Sequence, residues 1–75
     1  PQAVSLTAGE DLPAVGPRRE FLRAVSHGEA VSLAGSQDSS ALSALAEADC
    51  LIDRPARAPA LAAGEPLRVF KLQNG

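Results

Sequence analysis

Apolar and polar residues alternate in short runs along most of this chain. Residues 3–7 and 19–26 place every second side chain on the same side, which is the period of a half-buried strand. Residues 29–34 repeat this pattern, and a short apolar run follows at 50–52. With a last alternating run at 67–72, the sequence predicts five strands.

Glycine and proline mark the connections between these strands. His27-Gly28 predicts a two-residue hairpin turn in which Gly28 takes a positive φ, and Gly64 marks the turn before the last strand. Residues 9–17 contain two glycines and two prolines, which predicts a bend or irregular edge. The two prolines of residues 54–59 predict an extended loop.

One segment has a helical period instead. Leu42, Leu45 and Ala46 fall on one side of a helix of about two to three turns. Alanines favour this helix, while Glu47 and Asp49 near its C-terminus oppose the peptide dipole and keep it short. The sequence therefore predicts a compact, mostly-β domain with one short helix.

A polar segment at residues 35–40 lies between the third strand and this helix, and it reads Gly-Ser-Gln-Asp-Ser-Ser. Backbone N–H groups at a helix start lack internal partners and lie at the positive end of the peptide dipoles. The segment is therefore a candidate oxyanion site. The other interpretation is that Asp38, Ser39 or Ser40 caps the helix.

Three arginines lie close together before and within the second strand. Arg19 shares a face with Arg23, and Arg18 precedes them. Guanidinium groups suit bidentate recognition of phosphate or molybdate-like oxyanions. The alternative is that these side chains are solvated, or pair with Glu20, Glu29 and nearby acids at an edge strand.

The other reactive residue types favour structural roles. His27 is expected to be an exposed turn residue, and Cys50 a small buried packing residue. The acidic residues have no spacing typical of a metal site or an acid/base pair and are interpreted as surface charge; they include Glu10, Asp11, Glu47, Asp49, Asp53 and Glu65.

Composition restricts the function classes. A chain of 75 residues is one small domain that buries about 60% of its unfolded surface. A formal charge of −2, two Phe and no Trp or Tyr argue against nucleic-acid binding. No run is long and apolar enough to predict membrane insertion, and a single cysteine predicts no internal disulfide and a reducing compartment.

Four stretches in a fixed order resemble a known family. Residues 16–24, 35–40, 41–49 and 61–69 are similar to the C-terminal, fourth domain of the MoeA/gephyrin family, the molybdopterin molybdenumtransferases. The chain departs from the usual family pattern at two places. It has Gly-Pro rather than Pro-Gly before its arginines, and Asp38 stands where the family usually has glycine.

The resemblance implies a fold and a setting. The expected fold is a bent double-stranded ribbon that forms an incomplete, β-clip-like barrel with one short helix. Residues 1–75 would be a single C-terminal domain from a longer chain, inactive by itself. The full-length protein would be a cytoplasmic homodimer, and this domain would line one side of the active cleft between subunits.

The resemblance also implies a reaction. The family inserts molybdenum from molybdate into adenylylated molybdopterin, releases AMP and uses a divalent cation such as Mg²⁺. In this chain the expected contribution is to hold an oxyanion, with no catalytic residue of its own. The residues expected to bind the oxyanion are Arg19, Ser36, Gln37, Ser39 and Ser40. The alternative is a structural module that braces the dimer or docks partners and binds no ligand, which the negative charge of Asp38 favours.

Overall fold

Five strands account for most of residues 3–34 and 48–72, which are the residues described by the computed structural model. The strands are β1 (Ala3–Ala8), β2 (Glu20–His27), β3 (Ala30–Leu33), β4 (Cys50–Arg54) and β5 (Pro66–Lys71). All five predicted strands are thus present, with ends shifted by one or two residues. The predicted helix falls almost entirely on residues outside the described ranges, and no helix capable of crossing a membrane occurs within those ranges.

The strands form a closed barrel in the order β1-β3-β2-β4-β5. Four of the five pairings are antiparallel, and the fifth, between β1 and β3, is parallel and covers two residue pairs, Thr7–Ala30 and Ala8–Val31. The mostly-β barrel expectation is confirmed, and this short parallel seam completes the ring.

Gly9 allows β1 and β3 to approach each other closely enough to pair. Its backbone N–H donates to the carbonyl of Val31 at 2.7 Å, immediately after the last β1–β3 pair. A Cβ at this position would come within 2.8 Å of the Ser32 hydroxyl and 3.0 Å of the Val31 carbonyl oxygen. Only glycine therefore fits this close approach without displacing its neighbours.

The hairpin between β2 and β3 turns one residue later than predicted. Gly28 has φ +64°, as expected, but His27 pairs with Ala30, so the two turn residues are Gly28 and Glu29. Glycine at the first turn position suits a two-residue hairpin because it alone takes a positive φ there without strain. Gly64, with φ +92°, makes the predicted turn before β5.

The core lies inside the barrel and contains no aromatic residue. It is built from one face of each strand, together with Leu12, which pairs with Leu61 in an isolated bridge across one end. Cys50 is completely buried, which confirms its predicted packing role. The buried cluster consists of Ala8, Leu12, Ala24, Val31, Cys50, Ile52, Leu67 and Val69.

Candidate functional site

Of the five residues predicted to bind an oxyanion, Arg19 lies within the described ranges. Ser36, Gln37, Ser39 and Ser40 lie outside them. Arg19 comes immediately before β2, at the end of that strand where Glu20 pairs with Arg54 of β4. Arg19, the predicted cation, therefore lies at the end of the barrel where β2 begins and β4 ends.

The residues on either side of the undescribed segment are anchored farther along β2. The Ala34 N–H donates to the carbonyl of Arg23 at 3.0 Å, and the Asp49 N–H donates to the carbonyl of Ala24 at 2.9 Å. Glu20 and Ala24 are about 13 Å apart along an extended strand. Among the three clustered arginines, Arg23 is thus closer than Arg19 to the points where the polar segment begins and ends.

Arg19 forms a bidentate ion pair with Asp53 of β4. Its Nε donates to Oδ1 at 2.8 Å and its Nη2 donates to Oδ2 at 2.7 Å. Asp53 is only 5% exposed, whereas the Arg19 side chain is 53% exposed. The interpretation of Asp53 as surface charge was therefore wrong, because the β2–β4 register places this carboxylate beneath the arginine.

The charge of Asp53 is stabilised mainly by this pairing. The hydrogen bonds from Arg19 hold the pKa of the carboxyl below its usual range, against the opposing effect of burial, and the nearby charge of Arg68 lowers it further. The same pair raises the pKa of Arg19. Asp53 is thus an anion at neutral pH, and each of its two oxygens already accepts a hydrogen bond.

Both aromatic residues of the chain lie on the outside of the barrel, next to this pair. Phe21 is 50% exposed, and its ring centroid lies 6.2 Å from that of Phe70. The guanidinium carbon of Arg19 lies 5.2 Å from the centroid of Phe21, and that of Arg68 lies 5.4 Å from the centroid of Phe70. We call these four residues the aromatic–arginine patch; both of its cations are within cation–π distance of a ring.

A cleft of about 310 Å³ opens beside this patch, at the same end of the barrel. Its charged lining residues are Arg19, Asp53, Arg54 and Arg68, and its remaining walls are apolar. The apolar lining residues are Pro55, Ala58, Pro59, Leu61, Pro66 and Leu67. We call this space the arginine cleft.

Arg54 is the least expected member of the cleft. It is 4% exposed, and its Nη2 donates to the carbonyls of Pro13 and Pro59 at 2.6 and 3.0 Å. The sequence analysis missed it, although a signal was present: Arg54 has the same strand phase as the buried Cys50 and Ile52. That phase predicts an arginine directed into the barrel end.

At the opposite end of β4, Asp49 accepts hydrogen bonds from uncharged donors. The backbone N–H and the hydroxyl of Ser26 donate to the two carboxylate oxygens of Asp49 at 2.9 and 2.8 Å. Burial alone would raise the pKa of Asp49, but the hydrogen bonds from Ser26, together with smaller effects of the Cys50 thiol and the Lys71 charge, outweigh it and the pKa is lowered. Burial, reinforced by Asp49, raises the pKa of the Cys50 thiol to about 11.

Two further acids connect loops to strands. A carboxylate oxygen of Glu10 accepts the Leu33 N–H at 2.7 Å, and one of Asp11 accepts the Ala63 N–H at 2.9 Å. No group of three or more potential metal ligands occurs in residues 3–34 and 48–72. Glu10 and Asp11 thus each hold a connecting segment in place.

Comparisons with known proteins identify relatives of this barrel. Residues 5–72 match the sequence profile of the MoeA C-terminal region (domain IV). No curated protein sequence matches the chain.

Two solved structures of a molybdopterin biosynthesis MoeA protein from Pyrococcus horikoshii have the same fold. One matches 93% of this chain with a TM-score of 0.75 and 18% identity, and the other matches 99% with a TM-score of 0.80 and 20% identity. In both cases the match covers 18% of the relative, so this chain corresponds to less than a fifth of those proteins.

Proposed function

Because this chain belongs to the family of MoeA C-terminal regions (domain IV), we propose that it is the last domain of a molybdenum cofactor biosynthesis enzyme. The enzyme inserts molybdenum from molybdate into adenylylated molybdopterin and releases AMP. The single observation that carries this proposal is the family match over residues 5–72, supported by a barrel of the same fold.

In this proposal the chain forms one side of a cleft between the subunits of a cytoplasmic homodimer. Mg²⁺ is bound by other domains of the protein and is not assigned to any residue of this chain. The exposed Arg19, immediately before β2, supplies positive charge facing the anionic substrates. Fixed cations of this kind orient phosphate and molybdate oxygens without transferring a proton.

Arg19 remains our proposed oxyanion ligand, together with Ser36, Gln37, Ser39 and Ser40. Its Nε and one Nη2 hydrogen are directed at Asp53, so Nη1 is the nitrogen with both hydrogens available for an anion. The ion pair also fixes the guanidinium plane. Part of the side-chain entropy of Arg19 is therefore lost before an oxyanion binds, which lowers the entropic cost of binding.

The test is molybdate-dependent release of AMP from adenylylated molybdopterin by the full-length protein that carries this domain. We expect the Arg19→Gln and Ser36→Ala variants each to raise the KM for substrate by about tenfold, as loss of one charge-assisted contact does. Full activity in both variants would contradict the oxyanion role, and absence of the reaction in the unaltered protein would contradict the proposed activity.

A matched control separates charge from folding. Arg19→Gln leaves Asp53 buried without its partner, so its effect combines lost binding with lost stability. The double variant Arg19→Gln/Asp53→Asn removes the ion pair while leaving two neutral amides that can bond each other. A raised KM in the double variant with unchanged thermal stability would assign the effect to substrate binding.

The aromatic–arginine patch supports a second candidate function, in which the domain braces the protein and binds no ligand. Exposed Phe and Arg side chains are enriched in the centres of protein interfaces. More than four fifths of the solved relatives' length lies outside the region that this chain matches. The proposed occupant of the patch is therefore another domain of the same protein.

Phe21→Ser distinguishes the two functions. Half of the Phe21 side chain is exposed and the other half packs near Phe70 and Arg19, so we expect the 75-residue variant to fold with a lowered Tm. In the full-length protein, the bracing function predicts weakened domain or dimer association, measured by sedimentation. Intact association with normal activity would exclude it.

A further inference from the structure

Arg54 is a buried cation with no anionic partner among the described residues. It is 4% exposed, and the carboxylate beside it in sequence, Asp53, is bound on both oxygens by Arg19. Within residues 3–34 and 48–72, the Arg19–Asp53 pair is the one ion pair. A buried charge is costly unless a counter-charge or several hydrogen bonds stabilise it.

The hydrogen bonds of Arg54 use less than half of its capacity. A guanidinium has five N–H donors, and the two on Nη2 serve the carbonyls of Pro13 and Pro59. The Nε and Nη1 donors contact no described acceptor. No side-chain nitrogen among the described residues is both buried and unpartnered, and the arginine cleft is the open space that Arg54 lines.

The charge of the cleft favours an anion. Three arginines and one aspartate line it, although the whole chain carries a formal charge of −2. Arg19 neutralises Asp53 by its bidentate contact, and no carboxylate of residues 3–34 and 48–72 forms an ion pair with Arg54 or Arg68. Their combined field is positive at an opening whose other walls are low-dielectric proline and leucine side chains.

We propose that the arginine cleft binds a small organic oxyanion, with a carboxylate or phosphate group between Arg54 and Arg68. The apolar part of the ligand packs on the remaining walls, which include Pro59, Leu61 and Pro66. A cleft of about 310 Å³ exceeds the space that one inorganic anion fills and lies at the lower end of small-molecule sites. This site uses none of the residues between 35 and 47 and requires no molybdenum chemistry, so it goes beyond the proposed function.

The competing explanation is that Arg54 only clamps the loops at the barrel end. Its bonds to Pro13 and Pro59 join the segment before β2 to the loop after β4. A clamp requires the Nη2 contacts alone, and it predicts no preference for an anionic ligand over a neutral one. The two explanations therefore differ in a measurable property of the cleft.

The test is a titration of the ¹⁵N-labelled 75-residue chain at constant ionic strength with phenyl phosphate, benzoate and phenol. We expect phenyl phosphate or benzoate to shift the amide signals of Arg54, Ala58 and Leu61, and phenol to bind at least about tenfold more weakly. Comparison of the first two ligands distinguishes a phosphate site from a carboxylate site. Inorganic phosphate, which lacks the apolar part, is expected to bind more weakly than phenyl phosphate.

Variants identify the arginines responsible. Arg68→Gln, at an exposed position, is expected to weaken binding about tenfold without loss of folding. Arg54→Met, similar in length and uncharged, is expected to abolish the preference for the anion. Arg23→Gln is the matched control, because Arg23 is exposed on β2 but does not line the cleft.

Three results would overturn the proposal. They are equal binding of phenol and phenyl phosphate, absence of shifts at the cleft amides, and equal weakening by Arg23→Gln and Arg68→Gln. Each is observed without molybdate or molybdopterin. Failure of this proposal is therefore distinguishable from failure of the proposed enzymatic function.

Discussion

An aspartate lies beside β2 at each end of β4, and the two aspartates accept hydrogen bonds from different kinds of donor. Asp49 receives both of its hydrogen bonds from Ser26, whose backbone N–H and hydroxyl are neutral. Asp53 receives both of its bonds from the charged Arg19, with Arg54 and Arg68 lining the same cleft. At one end the carboxylate is bound by uncharged groups, and the other end holds more positive than negative charge.

This difference indicates which end is suited to a ligand. Neutral donors satisfy the hydrogen bonds of Asp49 but leave its net negative charge in place, so this end does not favour an anionic ligand. At the Asp53 end, one carboxylate faces three arginines, and the excess charge is directed into an open cleft. Both aspartates accept a hydrogen bond on each carboxylate oxygen, so the number of bonds does not distinguish them. The charge of the donors does.

The largest expected effect comes from Ile52, which lies between the two ends. Ile52 is 1% exposed in the core, so Ile52→Ala should lower the free energy of unfolding by about 2–5 kcal/mol. Both ends of β4 should be lost together, as measured by urea unfolding followed at amides of each end. Leu51→Ala, on the half-buried outer side of the same strand, is the control and should cost clearly less. Separate transitions at the two ends would contradict a single cooperative barrel.

The second largest expected effect is the loss of stability when the Arg19–Asp53 ion pair is broken. Arg19→Leu leaves the carboxylate of Asp53 buried without its partner, so we expect a larger loss of thermal stability than in Arg19→Leu/Asp53→Asn. The stability advantage of the unaltered chain over both variants should shrink below about pH 3.9. The lowered pKa of Asp53 contributes stability above the ordinary carboxyl pKa, and this contribution is lost as the pH falls through the folded value. A single variant as stable as the double variant at neutral pH would show that the pair is dispensable.

A high salt concentration should change the cost of substitution differently at the two ends of β4. The cost of Asp53→Asn should decrease in about 1 M NaCl, where the Debye length is about 3 Å and the partly exposed Arg19 is screened. The cost of Asp49→Asn should change less, because its donors from Ser26 carry no net charge. Chemical unfolding at low and high salt measures both. Equal salt dependence would remove the electrostatic distinction between the ends.

The smallest effect is expected at Cys50, beside Asp49. A buried thiol whose pKa is raised to about 11 is almost entirely protonated at pH 8, and the thiolate is the reactive form. Alkylation in the native state should therefore be no faster than unfolding, with the urea-unfolded chain as the rapidly reacting control. Fast native labelling at pH 8 would show that this end of β4 opens more readily than its hydrogen bonds indicate.

The local features of the fold were predictable from the sequence. Alternation located the strands, Gly28 and Gly64 located two turns by their positive φ, and the apolar run around Cys50 indicated a buried strand. The hairpin turn was misplaced by one residue, because a two-residue turn at 27–28 and one at 28–29 preserve similar apolar patterns. Such a shift is decided by the pairing of His27 with Ala30.

The candidate site was only partly predictable. Arg19 was identified as a candidate anion-binding residue, but its partner Asp53 is 34 positions away in sequence. Arg54 was not identified because the predicted strand ended at residue 52, and Arg68 because single-sequence patterns contain no information on which strands are neighbours. The predicted roles of Ser36, Gln37, Ser39 and Ser40 remain predictions.

By itself the sequence determined where the chain is extended, where it turns and which side chains are apolar, because these depend on residues a few positions apart. Tertiary structure alone decided that Asp53 lies under Arg19, that Arg54 enters the barrel end and that both phenylalanines face outward beside arginines. The physical reason is that strand register joins distant segments, and a charge acquires its role from the groups that register places within a few ångströms of it.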